Sequence, residues 1–69
     1  MVNKAYMEEN FKYKDPKNGV VTEYRFVDGR FIGIFNDGEK SERSSIKIGT
    51  VLSSQFRKNL EVAGFKSYK

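Results

Sequence analysis

The dipeptide Asp28-Gly29 constrains the fold of this chain more than any other local feature. It separates two segments rich in β-branched and aromatic residues, at positions 20–27 and 30–35. A two-residue loop between strands favours a type I′ turn, whose central residues both have positive φ, and Asp-Gly adopts this conformation readily. The pattern therefore predicts a β-hairpin in which the two segments pair antiparallel.

Two further turn signals extend this hairpin into a meander. Residues 15–19 read Asp-Pro-Lys-Asn-Gly, a cluster of turn formers, and residues 11–14 before it form another short β-prone segment. Residues 36–38 read Asn-Asp-Gly and predict a turn after the third segment. The charged and serine-rich stretch 39–45 that follows is predicted to be a mobile loop.

The loop lengths predict which residues face each other in the three strands. The two-residue loop places Tyr24 opposite Gly33 and Thr22 opposite Phe35, and a four-residue loop places Phe11 opposite Tyr24. Because side chains alternate along a strand, one face is aromatic and carries Phe11, Tyr13, Tyr24, Phe26, Phe31, Gly33 and Phe35. The opposite face is largely charged and carries Lys12, Lys14, Val21, Glu23, Arg25, Arg30, Ile32 and Ile34.

Apolar residues recur every three or four positions in the last third of the chain, which is the spacing of one helix face. Thr50 is the predicted N-cap, and Gly64 is the predicted left-handed residue after the last turn. The apolar stripe consists of Ile48, Val51, Leu52, Phe56, Leu60 and Ala63. We therefore expect an α+β fold: a three-stranded antiparallel β-meander with one C-terminal α-helix packed on its aromatic face.

The 69 residues are expected to form a single small domain, because a chain of this length is near the lower limit for an independent core. Residues 1–10 are predicted to be a frayed lead-in, either a short helix or a strand. Residues 65–69 are predicted to form a short basic tail.

The chain lacks the side chains on which most catalysis depends. It contains no cysteine and no histidine, so it offers no thiolate nucleophile, no imidazole base and none of the commonest zinc ligands. The nearest arrangement to a nucleophile with a base is Ser54 and Lys58, four residues apart, and their surroundings are those of a solvated helix surface. We therefore expect no enzymatic activity, no metal site and no cofactor.

The sequence also predicts a compartment. It begins without an export signal, and its longest apolar run, residues 31–35, is far shorter than the roughly 20 residues that cross a bilayer. Together with the absence of cysteine, this predicts a cytoplasmic protein, of the cell itself or of an infected host, with no membrane partner.

Two kinds of partner compete for the charged face. The first is a protein, because two isoleucines bordered by charges are typical of a small contact patch, and an outer strand is open to strand addition. The patch comprises Glu23, Arg25, Arg30, Ile32 and Ile34. A short, cysteine-free, lysine- and asparagine-rich chain resembles accessory proteins of bacteriophages and mobile elements. That resemblance implies an inhibitor or regulator that acts by steric occupation of a host protein or complex.

The alternative partner is nucleic acid. The net charge of +4 favours polyanions in general, and a basic sheet face together with the helix could contact phosphates. The residues predicted for this role are Lys12, Lys14, Arg25, Arg30, Arg57 and Lys58. A homodimer is a third arrangement that the sequence leaves open.

Overall fold

The computed structural model of the chain describes residues 7–68. Its elements are β1 (Glu8–Lys14), β2 (Val21–Val27), β3 (Arg30–Asn36), β4 (Glu39–Lys40), α1 (Ser54–Val62) and β5 (Lys66–Tyr68). All five strands form one antiparallel sheet in the order β4-β3-β2-β1-β5, so the predicted α+β class is confirmed. The predicted lead-in lies partly outside the described residues, and from Glu8 onward it belongs to β1.

The three central strands form the predicted meander. Asp28 and Gly29 have φ angles of 52° and 76°, as a type I′ turn requires. In the first two strands Phe11 pairs with Tyr24, as the loop length predicts. These local signals were sufficient because each turn acts on the residues directly beside it.

The sheet contains two outer strands, β4 and β5, that were not predicted from the sequence. Asp37 and Gly38 also have positive φ angles, 51° and 89°, so the chain turns back at once and Glu39–Lys40 pairs with β3 instead of beginning a mobile loop. Gly64, with a φ of 100°, reverses the chain after α1. The predicted basic tail therefore contains a strand, Lys66–Tyr68, which pairs with β1.

A β-bulge interrupts the pairing of β2 with β3. Phe26 pairs with Phe31 as predicted, but Arg25 pairs with Gly33, so Ile32 is an extra residue on β3. Gly33 has a φ of 151°, in a region that favours glycine over residues with a side chain. The register predicted from loop lengths assumed regular pairing, and the extra residue shifts every pair beyond it.

The bulge reverses the predicted faces of the second half of β3. Tyr24 pairs with Ile34 and Glu23 pairs with Phe35, so the predicted pairing of Tyr24 with Gly33 is wrong. Ile34 packs against the hydrophobic core, whereas Phe35 lies on the opposite face with the charged residues. Ile34 therefore does not share an exposed patch with Ile32.

The core lies between the aromatic face of the sheet and α1. Phe11, Phe26 and Phe31 are 0% exposed and Leu60 of α1 is 5% exposed. Phe56, also on α1, meets the ring of Phe26 edge-on with 5.3 Å between the ring centroids. The helix thus packs on the aromatic face, as the sequence predicts, and each buried ring contributes roughly 1.5–3 kcal/mol.

The helix begins later than predicted. Ser53, not Thr50, is the N-cap, and its Oγ accepts a hydrogen bond of 3.1 Å from the amide of Phe56. Residues 49–52 instead run along the outer edge of β3, where the Phe31 amide donates to the Thr50 carbonyl at 2.8 Å. The backbone groups along this edge of β3 need hydrogen-bond partners. Residues 49–52 supply them, although the apolar spacing of these residues is also compatible with a helix.

The C-terminal end of α1 lies where the sequence predicts it, just before Gly64. The Phe65 amide donates to the Leu60 carbonyl and the Gly64 amide to the Glu61 carbonyl, both at 3.0 Å, which is the hydrogen-bond pattern of a Schellman motif. The reversal brings Phe65 back onto the core, where its ring lies 5.0 Å from that of Tyr24.

Candidate functional site

One face of the sheet is covered by α1, and no helix or strand within residues 7–68 lies over the other, which we call the open face. Its members follow from the alternation of side chains along strands whose cross-strand pairs are known. They are Glu8, Asn10, Lys12, Lys14, Val21, Glu23, Arg25, Val27, Arg30, Ile32, Gly33, Phe35, Lys40 and Lys66.

The centre of the open face holds a carboxylate, a guanidinium and an aromatic ring in contact. Glu23 is only 6% exposed, and its Oε1 accepts a hydrogen bond of 3.0 Å from Nη2 of Arg25. The guanidinium of Arg25 lies over the ring of Phe35, 4.0 Å from the ring centroid. Such a cation–π contact contributes about 0.5–1 kcal/mol at exposed sites and more where water is excluded. Arg25 is therefore held in one orientation before a partner arrives.

Lys40 borders this cluster on the side of β4. It pairs with Phe35 across the two strands, and its aliphatic stem crosses Gly33, where an added Cβ would lie 3.1 Å from the Lys40 Cε. Regular pairing of β3 would place Phe35 on the aromatic face, and a sheet that ended at β3 would not include Lys40, so neither residue was predicted at this site. The dipeptide Asp37-Gly38 was the signal that could have revealed β4.

Two polar atoms near the cluster are buried without a hydrogen-bond partner within the described part of the chain. They are Nε of Arg25 and Oδ1 of Asn10, a donor and an acceptor on residues that pair across β1 and β2. An unsatisfied buried group costs about 1–3 kcal/mol. These two groups therefore carry an uncompensated cost of burial in the folded chain.

Lysines surround the central cluster. Lys12 and Lys66 face each other across β1 and β5, and Lys14 follows two residues along β1. Neighbouring strands lie about 5 Å apart and alternate residues about 7 Å apart, so these three lysines concentrate charge at one side of the face. Six basic residues (Lys12, Lys14, Arg25, Arg30, Lys40 and Lys66) against two acidic ones (Glu8 and Glu23) leave a surplus of four positive charges on this face.

The residues predicted to bind nucleic acid are divided between two layers. Lys12, Lys14, Arg25 and Arg30 lie on the open face, whereas Arg57 and Lys58 lie on α1, on the other side of the sheet. They therefore do not form one continuous phosphate-binding surface.

Arg57 is also engaged in an ion pair. Its two Nη atoms donate to the carboxylate of Glu9 at 2.5 and 3.2 Å, and Ser67 Oγ donates to the same carboxylate at 3.0 Å. The hydrogen bond to Glu9 raises the pKa of the Arg57 guanidinium above its ordinary value. This pair ties α1 to β1 and β5, so Arg57 is a structural residue in this geometry.

The residues predicted to bind protein are only partly brought together. Glu23, Arg25 and Ile32 share the open face, but Ile34 is turned to the core by the bulge. Arg30 lies at the rim, where its Nη1 donates to the carbonyl of Gly49 at 3.0 Å. Both outer strands of the predicted three-stranded sheet are paired as well, β3 with β4 and with residues 49–52, and β1 with β5.

A cavity of about 640 Å³ opens beside the turn between β2 and β3, and it is lined by Met7, Glu8, Glu9, Asp28, Gly29, Leu52 and Arg57. Glu9 is bound to Arg57, and Asp28 Oδ1 accepts a hydrogen bond of 3.1 Å from the Met7 amide. Among residues 7–68, no three histidine, cysteine or acidic side chains are grouped so that they could hold a metal ion. We therefore assign no catalytic or metal-binding role to this cavity.

Comparison of the chain with known protein families, with curated proteins and with solved structures finds no match. In the described part of the chain, no helix is long and apolar enough to cross a membrane. The function proposed below therefore depends on the geometry of the open face.

Proposed function

We propose that this protein is a non-catalytic binding module that inhibits or regulates a host protein or complex by occupying part of its surface. The observation that carries the proposal is the cluster at the centre of the open face, where Arg25 is held between buried Glu23 and the ring of Phe35. Arginine and aromatic residues dominate the binding energy of protein interfaces, and they do so near the centre of the patch. Here both occupy the centre and lysines occupy the border.

A protein partner suits this centre better than a nucleic acid does. Stacking of bases needs an aromatic ring with a free face, and the ring of Phe35 already carries the guanidinium of Arg25. One of the donors of Arg25 is engaged with Glu23, which leaves fewer donors for phosphates. A half-buried, pre-oriented arginine loses little conformational entropy when it enters an interface, and this favours tight binding of a complementary protein surface.

In the proposed mechanism, the lysines at the border and the residues at the centre affect different rate constants of binding. Charges at the rim of an interface accelerate association by long-range attraction, whereas buried contacts at its centre determine how slowly the complex dissociates. We expect the lysines to affect the association rate and its salt dependence, and Arg25 and Phe35 to affect the dissociation rate. Inhibition would then follow from exclusion of other ligands from the occupied surface.

Nucleic acid is the second candidate, and the surplus of four positive charges on the open face is the observation that favours it. Such binding would depend on release of counterions, so the logarithm of the affinity would fall linearly with the logarithm of the salt concentration. Fluorescence-anisotropy titrations of labelled single- and double-stranded oligonucleotides at two salt concentrations test this candidate directly. Tight, salt-sensitive binding would favour it over a protein partner.

The protein-binding proposal is tested by photo-crosslinking from a defined position. Benzoylphenylalanine in place of Ile32 reports on the open face, and the same group in place of Lys58 reports on the exposed side of α1. In lysate of the source cells, we expect a crosslink to one defined protein from position 32 and none from position 58. The same crosslink should disappear when Phe35→Ala is added. Equal crosslinking from both positions, or none from position 32, would contradict the proposal.

A further inference from the structure

The outer edge of β5 borders the open face. Within residues 7–68, β5 is the last strand on its side of the sheet, paired only with β1. At the opposite end of the sheet the outermost strand, β4, has only two residues, and residues 49–52 pair with another part of the outer side of β3. An outer strand presents backbone N–H and C=O groups in a row, which an extended chain can pair with.

We infer that the protein partner contributes an acidic, extended segment that adds to the outer edge of β5 as a sixth strand. This inference rests on the proposed function and specifies its partner chemistry. Lys66 is exposed on β5, on the same face as the central cluster. A strand added beside β5 would place one of its residues directly across from Lys66, and an acidic residue there forms a favourable cross-strand pair.

Charge along this side of the sheet selects an acidic segment. Lys66 already faces Lys12 across the strands, with Lys14 about 7 Å further along β1. Like charges placed opposite each other are unfavourable, so a third cation opposite Lys66 would be rejected, whereas a carboxylate would be attracted by all three lysines. The side chains that alternate with the carboxylates would face the layer of α1, beside Ser67.

Charge also distinguishes this occupant from a second copy of the chain. Two β5 strands paired with each other would bring two Lys66 side chains to one interface, and lysine on an outer strand is a common protection against such pairing. A nucleic acid would be attracted by the same lysines, but its backbone has no N–H groups with which to extend the sheet. An acidic peptide is therefore the occupant that matches both the charge and the backbone.

The probe for the test is a fluorescein-labelled octapeptide of alternating glutamate and valine. Two control peptides accompany it: one in which lysine replaces glutamate, and one in which alternate amides are N-methylated, which keeps the charge but removes the donors for strand pairing. The protein variants are Lys66→Glu and the matched control Lys58→Glu, which makes the same change of charge on the exposed side of α1. Far-UV circular dichroism confirms that both variants fold.

We expect the acidic peptide to bind, the lysine peptide not to bind, and N-methylation to weaken binding at least tenfold. Lys66→Glu should weaken binding of the acidic peptide about tenfold, because it replaces an attractive cross-strand pair by a repulsive one, while Lys58→Glu should leave it unchanged. Equal binding of the N-methylated peptide, equal effects of the two variants, or no binding of the acidic peptide would overturn the inference. Dimerisation through β5, seen by light scattering and abolished by Lys66→Glu, would also overturn it.

The two proposals fail in different ways. If the acidic peptide does not bind while benzoylphenylalanine at position 32 still crosslinks a defined protein, the partner uses the open face without extending the sheet, and only the inference about β5 is wrong. If an oligonucleotide binds tightly, with loss on Lys66→Glu, and position 32 crosslinks no protein, both proposals are wrong.

Discussion

The substitution Ile34→Asp tests the bulge in β3, on which the composition of the open face depends. Without the bulge, Ile34 would lie on the charged face and an aspartate there would be tolerated among lysines and arginines. With it, Ile34 packs against the core. The structure therefore predicts severe destabilisation where the regular pairing of strands predicts almost none.

The magnitude follows from the partial burial of Ile34. Removing a fully buried isoleucine side chain costs about 2–5 kcal/mol, so a half-buried one costs roughly half of that, and a carboxylate beside the core adds at least about 1–3 kcal/mol. The total, about 2–5.5 kcal/mol, compares with a free energy of unfolding of roughly 3.5–10 kcal/mol for a domain of 69 residues. We expect Ile34→Asp to lower the free energy of unfolding by this amount, which would unfold much of the protein at 25 °C only where the starting stability lies at the lower end of that range.

The matched substitution is Phe35→Asp, one residue further along the same strand. It removes the contact with Arg25, worth about 0.5–1 kcal/mol, and part of the burial of a half-exposed ring, while the new carboxylate lies near Arg25 and Lys40. We expect a loss of about 1–2 kcal/mol, which lowers the midpoint of thermal unfolding by roughly 4–16 °C.

Urea unfolding followed by far-UV circular dichroism measures both variants, and tyrosine fluorescence provides a second probe because the chain has no tryptophan. A larger loss of stability for Phe35→Asp than for Ile34→Asp would refute the assigned bulge in β3. That result would mean that β2 and β3 pair without an extra residue and that Phe35 belongs to the core.

Three further changes test the ends of α1 and its attachment, each by thermal unfolding. Ser53→Ala should cost about 1 kcal/mol because it removes the N-cap, whereas Ser54→Ala should change stability by less than about 0.5 kcal/mol; equal effects would contradict the assigned start of the helix. Gly64→Ala should cost about 1–2 kcal/mol, since alanine is strained at a φ of 100° and its Cβ would lie 3.3 Å from the ring of Tyr13; a neutral result would exclude the left-handed cap. Arg57→Met should cost about 1–2 kcal/mol by leaving Glu9 without its main partner, and Glu9→Gln in the same chain should restore part of it; additive losses would mean that the pair contributes nothing.

The candidate site was predictable only in part. Glu23, Arg25 and Ile32 share the open face as the alternation of side chains predicts. Glu23 and Arg25 lie on β2, where the alternation is unbroken, and Ile32 lies on β3 before the alternation changes. Phe35 and Ile34 exchanged faces, because a single extra residue reverses the alternation. Nothing local in the sequence decides whether Gly33 marks a regular strand or a bulge.

Three features of this protein were determined by the sequence alone: the turns, the pairing of β1 with β2, and the aromatic core. Each depends on short-range sterics or on a repeating apolar pattern, as at Asp28, whose positive φ the turn requires, and at Gly64, which ends the helix. Only the tertiary structure determined the conformation of the segments at the outer edges of the sheet. Residues 49–52 joined the edge of β3 instead of lengthening α1, and Lys66–Tyr68 became a strand only because β1 offered an unpaired edge. Hydrogen bonds between distant segments are satisfied only in the folded chain, so a local pattern compatible with two conformations does not choose between them.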